Sequence, residues 1–350
     1  LLKLRLNLKL RRPIQKIETD WYYDRVRVMT DVQNQTGDEG RELVEQLAPK
    51  LCNWDRWDRG DGVGALNLIT PAKRLEGATA VRSGEAFSLG FELQPGLPQP
   101  PDSGRENPLH LMTELPSDFP EGWDGPVSAD DYLSMSVHAA THWDALSHFF
   151  HRGQMYGGIS AAEVTTQGAK RNDIVPVARR LVTRGVLADV ARYRGVDVLP
   201  PGEGIGADEL RNVLDAQKIE VRPGDALLVR TGLLGATKKS GAWTEFAQCG
   251  PNLPNTPGVA VGALPLLHEL GVCAIACDNW AVEQLTGTPP DFPVHELALV
   301  YMGMILGEVF ELDELAAACA AAGRWEFLFA GQPLPLRGGV GGPVNPIAVL

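Results

Sequence analysis

The stretch SVHAATHWDALSHFFH, residues 136–151, holds four of the chain's seven histidines and one aspartate. His138, His142, Asp144 and His148 all fall at even positions, with spacings of four, two and four. In an extended strand, side chains alternate between faces, so these four share one face. Nitrogen and oxygen donors gathered on one face describe a metal site, and imidazole with carboxylate suits zinc or manganese. Three protein ligands that leave a position open make a catalytic metal site, because a coordinated water then loses its proton more easily. The competing reading is a cluster of core or solvated histidines. His151 is odd-numbered and points away from the others if the strand continues.

Composition narrows what such a site serves. At 350 residues the chain is long enough for one large domain or two smaller ones with a sizeable core. The net charge of −12, from 32 basic and 44 acidic residues, opposes general nucleic-acid binding. The longest apolar run, LALVYMGMILG, is about half of the ~20 residues that a membrane helix needs. Five cysteines without tight spacing imply no disulfide framework, and a reducing cytoplasm is the simplest compartment. Cys273 and Cys277 lie in an apolar run, where buried free cysteine behaves as a small hydrophobe. The N-terminal LLKLRLNLKLRR alternates leucine with basic residues and lacks the continuous apolar core of a signal peptide. Residues 1–50 are read as an N-terminal extension, in part non-native, ahead of a single domain over 51–350.

Proline and glycine punctuate the chain without dividing it. LQPGLPQPPDSGRENP (93–108) and VLPPGEGIG (198–206) are loops on turn chemistry. GVLADVA, DALLVRTG, VCAIACD and WEFLFAG read as short strands, and ADELRNVLDAQ and ELDELAAACAAAG as helices. PGVAVGALPLLHELG reads as a helix stopped by Gly271, with a kink at Pro265. VHELALVYMGMI is apolar throughout, so its period does not separate strand from helix. The result is a mixed α/β chain whose strands are too short and irregular for a Rossmann fold or TIM barrel.

Other motifs fail. HELAL at His295 begins like a zinc-protease HExxH but ends in Leu299. GEGIG and GGVGG lack phosphate-loop spacing, and no G-x-S-x-G nucleophile elbow is present. His110 and His268 stand alone and read as core or surface residues. Trp143, Phe149, Phe150, Tyr156 and Trp280 are by default packing residues. Tyr156 and Trp280 are singled out as substrate-side candidates, since an apolar wall beside a metal suits a flat substrate.

The His138-to-His148 pattern resembles the motif His-x-Gly-Thr-His-x-Asp-x-Pro-x-His of the metal-dependent cyclase family, which includes bacterial kynurenine formamidase and isatin hydrolase. His138, Thr141, His142, Asp144 and His148 match; Ala140 replaces the glycine and Leu146 the proline. GALNLITP (64–71), NPLHLMT (107–113), a strand-like DNWAVE (278–283) and FPVHELALVYMGMILGEVFELDEL (292–315) extend the likeness.

The resemblance implies an α/β fold of swivelling β/β/α architecture, with a mixed, barrel-like central sheet and flanking helices. It implies a small-molecule substrate, no nucleic-acid or membrane partner, and a homodimer or homotetramer. His138, His142 and Asp144 would hold Zn2+ or Mn2+, completed by His295 and Glu308. Glu308 lies thirteen positions after His295, one more than usual, and an ungapped alignment puts Gly307 at the customary glutamate. His148 would be the acid/base group, near its ordinary pKa, or a ligand to a second ion. The implied reaction is hydrolysis of a C–N bond in an aryl formamide, cyclic amide or imide. Lactone hydrolysis, cyclisation or dehydration on the same site, and non-catalytic metal or ligand binding, are the alternatives.

Overall fold

The computed structural model describes residues 38–59, 61–94, 96, 99, 104–241, 255–286 and 292–350. Of the extension read over residues 1–50, residues 1–37 lie outside the described residues. The remainder is part of helix α1, Asp38–Leu51, whose Val44, Ala48 and Leu51 are buried in the main core.

The strands that organise the fold are β1 (Ala86–Ser88), β2 (Leu109–Glu114), β3 (Asp130–Ser134), β4 (His142–Asp144), β5 (Val182–Asp189) and β6 (Ala226–Arg230). They continue with β7 (Ala274–Cys277), β8 (Ile305–Glu308), β9 (Glu326–Ala330), β10 (Gly341–Pro343) and β11 (Ile347–Val349). Nine of these form one mixed sheet in the order β1-β11-β9-β5-β6-β7-β8-β4-β10, curled into a half-barrel. The central pairs β5-β6, β6-β7 and β7-β8 are parallel, and those at either end are antiparallel. The α/β fold with a barrel-like mixed sheet and helices is the architecture that the sequence resemblance implies.

The central strands are almost fully buried, which is why they read as continuous apolar runs rather than alternating ones. Helix α2 (Pro71–Ala80) packs on β5 through Gly77, where an added Cβ would lie 2.7 Å from the Thr183 backbone. Lys73 of this helix reaches Asp225 at 2.5 Å, and Arg184 donates to both Asp225 oxygens at 3.0 and 2.6 Å. That buried ion group ties the helix to the end of the sheet where the parallel strands begin. Helix α3 (Ala207–Ala216) turns Leu210, Val213 and Leu214 inward.

Three sequence readings change. The segment around Pro265 is not a kinked helix. Residues 258–259 are extended, and helix α4 (Leu264–Leu270) begins only there, with Pro265 in its first turn, where its missing N–H costs nothing. VHELALVYMGMI is two elements. One turn of α-helix, Pro293–His295, widens into a π-helical stretch, Glu296–Met302, and stops at Gly303 (φ +65°) before β8. DNWAVE is not a strand but a tight loop after β7, in which Val282 takes a left-handed conformation (φ +57°).

The β2-β3 hairpin stands apart from the sheet, with Leu109, Leu111, Met112, Tyr132 and Leu133 exposed. At the site end, buried Thr141 joins three segments. Its hydroxyl donates to the Val309 carbonyl (2.6 Å) and accepts from the Phe91 N–H (2.7 Å). Thr141→Val keeps the shape and removes both bonds, so chemical denaturation is expected to show a loss of about 1–3 kcal/mol.

Candidate metal centre

The histidine stretch is not one long strand. Only His142–Asp144 is extended; His138 and His148 sit in turns on either side, closed by Ala139 N–H to the Ser136 carbonyl and His148 N–H to the Ala145 carbonyl, both 2.9 Å. The even positions nevertheless converge, because both turns fold back over the face that His142 and Asp144 present. Trp143, between them, points into the core against Phe310 and Phe329.

Pairing of β4 with β8 brings the distal residues in. Glu308 lies opposite His142, and Gly307 opposite Trp143. Side chains alternate, so the carboxylate at 308 shares the histidine face, whereas a Cβ at 307 would meet Trp143 at 2.7 Å and Phe310 at 2.8 Å. The structure therefore places Glu308, and not position 307, at the site.

Around Asp144, His142 Nε2 lies at 3.4 Å, His138 Nε2 at 3.6 Å and His148 Nε2 at 3.8 Å from Oδ1, and His295 Nε2 at 3.5 Å from Oδ2. Glu308 lies 3.2 Å from both His142 Nε2 and His295 Nε2. His138, His142 and Asp144 form one group whose donor atoms fit a single ion, and Asp144, His295 and Glu308 form a second. Asp144 belongs to both.

The set fits a divalent ion on its own evidence. His138 Nε2, His142 Nε2 and both Asp144 oxygens are buried without a hydrogen-bond partner, which is costly unless something else satisfies them. Ligands about 2.1 Å from a tetrahedral ion lie about 3.4 Å apart, and the separations above bracket that spacing. The tautomer also suits. His142 Nδ1–H donates to the Ala140 carbonyl (2.7 Å), which leaves Nε2 bare toward the carboxylates.

Without an ion the cluster balances its charge with protons. Burial pulls the His142 imidazolium down, but Glu308 and Asp144 outweigh it and raise its pKa to about 9. Burial likewise opposes charge on His295, yet contacts with Asp144, Glu283 and Glu308 raise it well above the ordinary value. Burial pushes the Asp144 carboxyl up, and the surrounding histidines bring it well below the usual range. Burial, with repulsion from His148 and His142, holds His138 far below its ordinary value. His148 does not sit near its ordinary pKa: burial pulls it to about 4, so it is neutral at pH 7.

Of the two substrate-side candidates, Trp280 is at the site. Its indole N–H donates to Gln99 (2.7 Å), and the Arg105 guanidinium lies over its ring at 5.0 Å. Tyr156 is not brought there. It is buried over Gly303, with its hydroxyl donating to the Asn53 carbonyl at 3.3 Å. His151 turns away to the Tyr301 hydroxyl (2.6 Å), His110 pairs with Asp131 at the surface, and His268 contacts Asn53.

Four residues were not legible as site residues. Arg105 donates to Glu308 (3.3 Å) and to the His138 carbonyl (3.2 Å). Gln99 donates to the His138 and Ala139 carbonyls (3.2 and 2.8 Å). Both lie in a stretch whose only signal is turn chemistry. Glu283 contacts His295 from behind. Phe292 joins Phe149 in an aromatic wall against His295, with ring centroids at 5.3 and 4.6 Å.

The family model described as "Putative cyclase" matches residues 87–284, more than half of the chain. The chain belongs to the cyclase family. That match ends before His295 and Glu308, which the fold brings beside His138, His142 and Asp144. A crystal structure described as that of a novel cyclase is 34% identical, with a TM-score of 0.79, covering 87% of this cyclase and 99% of that chain. Isatin hydrolase of Roseibium aggregatum is 24% identical over 261 residues, 73% of this chain and 87% of its own. An isatin hydrolase bound to the product analogue thioisatinate shares the fold at 19% identity (TM-score 0.56, 81% of this chain and 99% of that chain). Among the described residues, no helix is long and apolar enough to cross a membrane.

Because His142, with its pKa raised to about 9, carries a proton at pH 7 in the metal-free protein, a divalent ion must displace it. Affinity is expected to rise from pH 6 to pH 9 as the imidazolium form is lost. Calorimetry in buffers of different ionisation enthalpy should show net proton release on binding at pH 7.

Proposed function

We propose that this cyclase is a metal-dependent hydrolase that opens a C–N bond of an aryl formamide, cyclic amide or imide. The observation that carries the reading is the buried His138–His142–Asp144–His295–Glu308 set with a neutral histidine, His148, beside it. The sequence kinship with isatin hydrolase supports the choice of bond.

His138, His142 and Asp144 would hold the ion, with His295 and Glu308 completing the site. When bound, zinc or manganese supplies a Lewis acid that lowers the pKa of a water and polarises a carbonyl. His148 does the proton work. Its side chain is 19% exposed, against full burial of Asp144 and His142, so it is the member of the cluster that faces incoming substrate. It stacks on His138 at 4.3 Å and against Phe149 at 5.3 Å, which hold its ring in place. Being neutral, it accepts the proton of the attacking water and returns it to the leaving nitrogen. Phe149 and Phe292 offer a flat apolar wall, and Trp280 under Arg105 a second one, which suits a planar ring and excludes bulk water.

The test begins with elemental analysis of purified protein, where one to two equivalents of zinc or manganese per chain are expected. A panel of N-formyl anilines, cyclic amides, imides and lactones then identifies the bond. His142→Ala is expected to lose both metal and turnover. His148→Ala is expected to keep the metal while kcat falls about 10²- to 10⁴-fold. Metal-loaded protein inert to every amide and imide would sink the reading, and turnover of lactones alone would move it to the other bond.

A further inference from the structure

Behind His295, away from Asp144, lies a fully buried carboxylate that the proposed chemistry does not use. Glu283 Oε1 accepts from His295 Nδ1 and from the His295 backbone N–H (3.1 Å), and Oε2 accepts from the Val294 N–H (3.1 Å). One side chain thus holds both the imidazole and the start of the helical turn that carries it. With Nδ1 engaged, His295 Nε2 is left to face Asp144 (3.5 Å) and Glu308 (3.2 Å).

The loop that delivers Glu283 is itself braced. Val282, the preceding residue, has φ +57°, and Val309, which follows Glu308, has φ +60°. Left-handed backbone is a steric outlier for a β-branched residue, and it persists only where the surroundings over-determine it. Asn279 supplies that bracing for both. Its side chain accepts from the Val282 N–H (2.7 Å) and donates to the Val282 carbonyl (3.2 Å), and its carbonyl accepts from the Val309 N–H (2.9 Å). Two strained valines tied to one asparagine therefore aim two carboxylates, Glu283 and Glu308, at opposite nitrogens of the same imidazole.

We propose that Glu283 is a positioning residue: it fixes the ring orientation and tautomer of His295, presenting Nε2 to the metal centre, and Asn279 sets Glu283 and Glu308 jointly. This rests on the reading of His295 as a metal-facing donor. Partners of this kind raise ligand basicity and fix the ring, and their loss typically costs about 10- to 100-fold in metal affinity.

The test is titration of Zn2+ into the metal-free full chain by calorimetry, on wild type, Glu283→Gln, His295→Gln and the double variant. Glu283→Gln is expected to weaken zinc about 10- to 100-fold on its own and by less than twofold in the His295→Gln background. A carboxylate that only caps the helix would weaken both backgrounds equally, and that result, or unchanged affinity in the single variant, overturns the proposal. Wild type that takes up no zinc overturns instead the metal reading on which it rests. If Glu283→Gln does not fold, nitrogen NMR of zinc-loaded wild type with labelled histidine decides. A proton on His295 Nδ1 with zinc on Nε2 supports the proposal, and the reverse refutes it.

Discussion

A carboxylate with neither oxygen hydrogen-bonded lies at the centre of this protein. Asp144 is fully buried, on a three-residue strand between β8 and β10. Leaving such a group without a compensating charge costs several kcal/mol, so the fold has to surround it with cations. Four imidazoles line it, three from the 138–148 stretch and one from His295, and the positive charge falls on His142 and His295. The curled sheet makes this geometry available, because β4 closes antiparallel on β8 just where the parallel strands end. Ligands in open α/β sheets likewise gather outside the carboxyl ends of the parallel strands.

The opposite end of the sheet has the complementary character. Asp225 is as deeply buried as Asp144, but Lys73, Arg184 and the Arg222 N–H saturate it. One buried acid is closed by fixed cations and stabilises the packing of α2. The other is left open on histidines, whose protons are exchangeable. The same fold thus separates a permanent ionic lock from a site whose positive charge can be replaced.

The central strands, the two best helices and the glycine stop of the second, Gly323, were legible because burial on both faces and the 3.6-residue period leave strong marks. His138, His142, Asp144 and His148 were legible because they are close in sequence, although for a reason only half right: the even spacing suggested one strand, and two flanking turns do most of the gathering. Glu308 was named through the family resemblance, against an ungapped alignment that favours position 307, and the β4-β8 register decides between the two. Tyr156 shows the converse limit, since an aromatic twelve residues from Asp144 packs over Gly303 instead of lining the site. Gln99 and Arg105 arrive on a loop whose sequence records only that the chain turns, and Glu283 ends a segment read as strand-like that folds as a tight loop.

Strand β10 gives the site a place in time. Its Gly341–Pro343 segment pairs with β4, and Gly341 passes so close to His138 Nε2 that an added Cβ would lie 2.3 Å away. The ligand strand thus acquires its second neighbour only when residues some 200 positions later have been made. At ~5–20 residues per second, synthesis of that interval takes about 10–40 s. For most of that interval β8 is also still to be made, and it precedes β10 in the chain by only some 35 residues. Of the two donor groups, His138–His142–Asp144 is local in sequence, whereas Asp144–His295–Glu308 can form only once β8 has been made and paired with β4.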